Sequence, residues 1–189
     1  MTTYAIALFL HLAALLLATV AATRTTSLTL ALRAAEDADC ALAQMRAIER
    51  TVKLFPLATL GLVASGAYMT HAAWSWADPW IAASALALGL IVVLGPGVEG
   101  SRNRALRSEL EAVGLGPRAR RLMRDPIAWS AKMITLTLIP AIVFVMTVKP
   151  EELGASATIA GAIALALIAA LPFWRPRAEG GGAIVANEL

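Results

Sequence analysis

Two histidines are the side chains of this 189-residue sequence best suited to bind a metal or carry a proton. His11 interrupts the otherwise aliphatic stretch "ALFLHLAALLLATVAATR" (7–24). On a helical wheel the residues beside His11 are small, whereas those opposite are bulky: Ala7, Ala14, Ala18 and Ala22 against Ile6, Phe9, Leu16 and Val20. We therefore expect His11 to point into a helix bundle, as a ligand or proton carrier; the alternative is a neutral imidazole that forms an interhelical hydrogen bond.

His71 and Lys149 are the other candidate site residues. His71 ends the second apolar segment, in "SGAYMTHAAWSWADPW" (65–80). In a membrane helix it would lie within about 5–10 Å of His11 in depth, so the two imidazoles could bracket a haem iron. The alternative is an interfacial histidine in water. Lys149, in "MTVKP", could neutralise a haem propionate; its alternatives are snorkelling at a helix end or pairing with Glu151 or Glu152.

Five tryptophans flank the apolar segments. Trp74, Trp76 and Trp80 fall beyond one end, and Trp129 and Trp174 beyond the other. An aromatic belt at the two faces of a bilayer accounts for all five. A porphyrin-stacking pocket is the alternative.

The composition is that of an all-α, polytopic membrane protein. Hydrophobic residues make up 59% of the chain, charged residues 15%, and the mean hydropathy is +0.71. Five segments can each cross a bilayer, which takes about 20 apolar residues: 4–23, 54–73, 79–98, 127–148 and 154–174. Cys40 is the single cysteine, which excludes an internal disulfide and a cysteine metal cluster.

The cations predict the orientation. All sixteen except Lys149 fall on one side of these five spans, so the positive-inside rule places the N-terminus outside and the C-terminus in the cytoplasm, in a bacterial inner membrane. Because the cations are explained by this topology, we expect no nucleic-acid partner. The charged segment 25–53 is predicted to form a cytoplasmic helical hairpin with its turn at Glu36–Asp39 and an apolar stripe of Leu42, Met45 and Ile48.

Helix-breaking residues and small residues indicate where the third span ends and how the fifth span packs. Gly95-Pro96-Gly97 is expected to end the third span. Small residues recur every four positions in the fifth span, which predicts close helix packing and is compatible with a homodimer. We expect a transmembrane bundle over 1–174 and a flexible cytoplasmic tail over 175–189.

Several stretches in order resemble the CopD-like superfamily of bacterial membrane proteins, and within it the oxygen-independent protoporphyrinogen oxidase HemJ. They are His11, "AQMRAIERTVKLFPLATLGLVASG" (43–66), "DPWIAASALAL" (78–88) and "VMTVKP" (145–150). The resemblance implies that His11 is a haem ligand. His71 as the second ligand is inferred from the residues alone.

The sequence departs from the HemJ-like pattern at three places. Ser84 stands where those proteins have a lysine, no histidine lies near Pro96, and Arg124-Asp125-Pro126 replaces an Asn-Glu before the fourth-span proline. We expect a protein that binds haem b in the outer half of the bundle, for electron transfer or, as a HemJ-like oxidoreductase, for porphyrin oxidation with a porphyrin or redox partner. The alternative is a non-enzymatic transport element or structural subunit of a larger membrane complex.

Overall fold

The computed structural model describes residues 3–174, and every regular element in that part of the chain is helical. The elements in order are α1 (Thr3–Arg33), α2 (Ala38–Val52), α3 (Leu54–Ala73), α4 (Pro79–Val93), a π-helical turn (Leu94–Glu99), α5 (Gly100–Ala112), α6 (Pro117–Met123), α7 (Pro126–Val148) and α8 (Glu152–Trp174). Within residues 3–174, five helical stretches are long and apolar enough to cross a membrane. The chain is therefore a multi-pass membrane protein by length and composition, as predicted. The tail predicted over 175–189 lies outside the described residues.

The packing face of α1 is the one that the small residues predict. Ala7, His11, Ala14 and Ala22 are buried, whereas Phe9 is 69% and Leu16 is 65% exposed. This buried face packs mainly against α3, where Gly61 lies opposite Ala14. A Cβ atom on Gly61 would lie 2.9 Å from the Ala14 Cβ, so the two backbones approach as closely as glycine allows.

The predicted helical hairpin is confirmed, with its turn two residues earlier than expected. α1 continues to Arg33, and α2 begins at Ala38. The Asp37 side chain accepts a hydrogen bond from the Cys40 backbone N–H at 2.7 Å and so caps α2. Because this cap starts the helix at Ala38, Asp39 lies in the first turn of α2 and not in the connection.

The expected end of the third span at Gly95-Pro96-Gly97 is wrong. The chain continues through the π-helical turn into α5, and the helical stretch ends only at Ala112. The wider turn brings the Gly100 N–H to the Gly95 carbonyl, five residues back. Proline lacks a backbone donor, and this wider turn provides a route around it without breaking the helix.

The arginine-rich loops fold into a small helical cluster, here called the arginine-rich end: the last turn of α1 with α2, α5 and α6. Its core consists of Leu32, Ala35, Ala41, Met45, Ile48, Leu106, Leu110, Ala119 and Met123. The predicted stripe of α2 is confirmed, since Met45 and Ile48 are buried and Leu42 packs against them. Outside this core, Arg107 bonds to Glu49 at 2.6 Å and to Glu111 at 2.8 Å, which raises the pKa of its guanidinium above the ordinary value.

One row of small residues in α8 packs inside the molecule. Ala166 and Ala170 are fully buried, and α8 packs mainly on α7. Ala157 and Gly161, which lie on another row, are exposed. Ala160 and Ala164 are exposed as well, so both of these rows are left available for a partner helix.

Candidate functional site

His11 lies midway along α1 and is 8% exposed. Its Nδ1 atom is 3.0 Å from the Ser65 Oγ atom of α3. This contact joins two helices across an apolar interface, and in hydrocarbon surroundings a polar side chain needs such a partner. The sequence analysis did not single out Ser65, although the pair Ser65-Gly66 is the polar and small break in the apolar second span.

The direction of this hydrogen bond follows from the other contacts of Ser65. The Ser65 hydroxyl donates its one proton within its own helix, to the Gly61 carbonyl, with the Leu62 carbonyl 3.4 Å away. With the hydroxyl proton directed to the Gly61 carbonyl, the Ser65 oxygen is left to accept from His11, and we infer the tautomer that carries its proton on Nδ1. The lone pair is then on Nε2, for which no hydrogen-bond partner occurs among the described residues. A neutral imidazole with a lone pair on one nitrogen and a hydrogen bond at the other is what a metal ligand requires.

Glycine makes room for the imidazole against α3. A Cβ atom on Gly66 would lie 3.4 Å from the His11 Cε1 atom and 3.7 Å from its Nδ1 atom. The ring edge that carries Nδ1 and Cε1 thus rests against the α3 backbone. The contact restricts the orientation of the ring.

His71 lies in the last turn of α3 and is exposed. It follows Ser65 by six residues, so it points about 120° away from the Ser65 side chain around the helix axis. The structure brings His11 and Ser65 together, and it leaves His71 directed away from that contact. The role of His71 as a second haem ligand stays a prediction.

Lys149 ends α7 in a left-handed conformation, with φ of 52°. Its Nζ atom lies 3.6 Å from the ring centre of Trp74 and 5.5 Å from that of Trp80. The two indoles meet edge to face at 5.3 Å, and Trp74 Nε1 donates to the Tyr4 hydroxyl at 3.4 Å. A cation–π contact therefore positions Lys149 at the same end of the bundle as the start of α1.

The aromatic-belt interpretation fails for Trp129. Trp74, Trp76 and Trp174 are exposed, as a belt requires, but Trp129 is only 5% exposed. Its ring lies 4.5 Å from the Phe173 ring, and the Arg33 guanidinium lies 5.0 Å from its centre. A tryptophan at the end of a span is expected both in an aromatic belt and in a buried contact. The sequence alone therefore does not distinguish the two.

A second polar contact within the bundle joins α7 to the π-helical turn. Lys132 Nζ lies 2.5 Å from the Glu99 Oε2 atom, and Lys132 is 8% exposed. The pair lines a polar cavity of about 30 Å³ together with Thr29, Arg33, Asn103, Met123, Asp125, Ala128 and Trp129. In the sequence Lys132 is one of the cations that indicate topology, and Glu99 follows the expected end of the third span, so their pairing was not predicted.

The described residues contain no group of three or more His, Cys, Asp or Glu side chains able to hold a metal ion. Cys40 is exposed and unpaired in this part of the chain. Residues 3–174 therefore contain no bare-ion site made of three such side chains. A macrocycle differs in this respect, because it supplies the equatorial ligands of its own metal and takes only axial ligands from the protein.

Comparisons with protein-family models, with curated proteins and with solved structures found no match to this chain.

Proposed function

We propose that this chain is a haem b-binding membrane protein and that Nε2 of His11 is an axial ligand to the haem iron. The observation that supports this most directly is the His11–Ser65 contact. Ser65 holds the proton on Nδ1 and leaves the Nε2 lone pair without a partner among the described residues. A hydrogen bond at the second nitrogen is the usual support for a histidine ligand, because it fixes both tautomer and ring orientation.

We further propose electron transfer, in preference to porphyrin oxidation, as the use of that haem. The bound iron would supply the redox chemistry. The lysine that HemJ-like proteins have after the third-span tryptophan is replaced here by Ser84, which is 3% exposed and donates to the Trp80 carbonyl at 2.7 Å. A serine bonded within its own helix offers no base to a porphyrin substrate.

The orientation and location are part of the same proposal. We propose that the N-terminus lies outside the cytoplasm and that the arginine-rich end faces it, in a bacterial inner membrane. Lys149 would then lie at the outer face, and we propose that its ammonium neutralises a haem propionate. A homodimer through an exposed small-residue row of α8 is compatible with this arrangement.

A second candidate is a non-enzymatic transport element or structural subunit. The Glu99–Lys132 pair favours it, since charged residues inside membrane helices commonly mark ion or proton pathways. In that function His11 would serve only as an interhelical bridge. The close contact of its ring with Gly66 suits this role equally well.

Visible absorption of the purified protein separates the two candidates. Protein expressed in bacteria supplied with a haem precursor should show a Soret band and the α and β bands of b-type haem. The His11→Ala variant should lose this absorption, because alanine has no lone pair for iron. Its fold should persist, since alanine matches the small face of α1. The His71→Ala variant should show weaker absorption.

Ser84→Ala is the matched control for this experiment. Ser84 is buried like Ser65, but it bonds only to its own helix, so its loss should leave the absorption unchanged. Wild-type protein without Soret absorption, despite ample haem in the cells, would contradict the haem proposal and favour the second candidate.

A further inference from the structure

Arg33 at the end of α1 is stacked on aromatic rings. Its guanidinium carbon lies 4.7 Å from the ring centre of Phe173 and 5.0 Å from that of Trp129. Aromatic faces attract the flat surface of a guanidinium, but they leave the N–H groups at its edge without acceptors. The Arg33 N–H groups form no ion pair within the described residues, so they are available to a ligand.

The acidic side chains that share the cavity with Arg33 are already paired. Asp125 forms an ion pair with Arg102 and accepts from the Ile127 backbone N–H at 2.8 Å. Glu99 pairs with Lys132. Arg33 takes part in none of the ion pairs between described residues.

Two further features add to the deficit of acceptors around Arg33. The exposed Arg124 lies between Met123 and Asp125, two residues that line the same cavity as Arg33. The buried Trp129 Nε1–H, in the ring on which Arg33 stacks, has no acceptor among residues 3–174. Cations therefore outnumber anions at this place, with Arg33, Arg102, Arg124 and Lys132 against Glu99 and Asp125, and this excess favours the binding of an anion.

The position of Arg33 relative to the bilayer indicates which anion. α1 has 31 residues, or about 46 Å at 1.5 Å per residue, whereas a hydrocarbon core is about 30 Å thick. Phe173 and Trp174 close α8 beside Arg33, and Trp174 is 53% exposed. Exposed tryptophan is typical of the headgroup level of a membrane, where phosphate is the abundant anion.

We propose that Arg33 and Arg124 form a phosphate-binding site at the arginine-rich end of the bundle. The edge of the Arg33 guanidinium donates two parallel hydrogen bonds to phosphate oxygens, and Arg124 contributes a second positive charge. The phosphate belongs to the headgroup of an anionic phospholipid or to a soluble phosphate ester. This site does not depend on whether His11 binds haem.

Binding to delipidated protein in a neutral detergent tests the site. Native mass spectrometry and the thermal midpoint Tm would be measured with phosphatidylglycerol, phosphatidylcholine and inorganic phosphate. Wild-type protein should prefer phosphatidylglycerol to phosphatidylcholine. Arg33→Gln should weaken this binding about tenfold or more. A hydrogen bond to a charged group contributes enough free energy to change the dissociation constant by at least about tenfold. Arg33→Lys should retain only part of it, because an ammonium lacks the planar fork.

Arg46→Gln is the matched control, because Arg46 is exposed on α2 and forms no ion pair within the described residues. It should bind phosphatidylglycerol as the wild type does. Stabilisation by the lipid alone would assign the site to a headgroup, and displacement of the lipid by millimolar inorganic phosphate would assign it to phosphate in general. No lipid preference in the wild type, or an equal loss in Arg46→Gln, would overturn the proposal.

Discussion

Two helix interfaces satisfy a buried polar side chain in different ways: that of α1 with α3, and that of α7 with the π-helical turn. Each has a polar side chain inside an apolar helix contact. The first joins neutral groups, His11 and Ser65, at 3.0 Å. The second joins charged groups, Lys132 and Glu99, at 2.5 Å. The neutral contact involves Nδ1 of the imidazole and leaves Nε2 without a hydrogen-bond partner among the described residues. In the charged contact the two groups neutralise each other.

The difference indicates which interface is suited to bind a ligand. Cancelling the Glu99 and Lys132 charges removes the main electrostatic reason for either to bind an ion, so their pairing serves the position of the π-helical turn. The His11 contact has the opposite effect in the proposed function, because a proton on Nδ1 shared with Ser65 would leave Nε2 free to bind a ligand. The His11 interface is therefore the better candidate for a cofactor, although its contact is uncharged.

The largest expected effect concerns the charged interface. Glu99→Gln, which leaves the buried Lys132 charge without its partner, should destabilise the bundle by about 3 kcal/mol, and Lys132→Met, which leaves the partly buried Glu99, by somewhat less. The double variant should be closer to the wild type than either single variant. Thermal unfolding in detergent, in a double-mutant cycle, measures the coupling.

Glu36→Gln, at an exposed position in the turn before α2, is the control for the loss of a carboxylate and should unfold as the wild type does. Additive effects of the two single substitutions would show that Glu99 and Lys132 do not act as a pair. The comparison between a charged and a neutral interface would then fail.

An intermediate effect is expected from the close approach of α1 and α3. Gly61→Ala should destabilise the protein by about 1–3 kcal/mol, since overpacking forces the backbones apart. The new Cβ atom would meet the Ala14 Cβ at 2.9 Å, and a backbone-linked methyl group cannot move aside. Thermal unfolding measures the cost.

Gly89→Ala is the matched control, because no atom lies within 4 Å of a Cβ at that position of α4. It should be neutral or slightly stabilising, since alanine is the better helix former. Equal effects of the two substitutions would contradict the close packing of α1 on α3.

The sequence predicted the features that repeat along the chain. The spans 54–73, 127–148 and 154–174 agree with α3, α7 and α8 to within two residues. Such elements can be predicted because many residues contribute to each one. A long apolar run indicates a span, and the helical period indicates which face is buried. The inward direction of His11 followed from the same periodicity, and it is confirmed.

The features that the sequence did not reveal depend on pairs of residues distant in the chain. Ser65 became relevant only when α3 packed on α1, and Glu99 only when α7 packed on the π-helical turn. Gly95-Pro96-Gly97 has the composition of a helix end, but a π-helical turn accommodates it at the cost of one irregular turn. Trp129 is buried because Arg33 and Phe173 cover it, which its own neighbours in sequence do not indicate.

The most direct test of the His11 site is the tautomer of its imidazole in the haem-free protein. Nitrogen-15 NMR distinguishes a protonated ring nitrogen from a bare one, and a His71→Gln background leaves one histidine to assign. The spectrum should show a protonated Nδ1 and a bare Nε2. Ser65→Ala should weaken this preference and cost about 0.6–1.7 kcal/mol of stability, as for other interhelical hydrogen bonds in membranes, whereas Ser84→Ala should change neither. A protonated Nε2 in the Ser65-containing protein would contradict the account, because no lone pair would then remain there for iron.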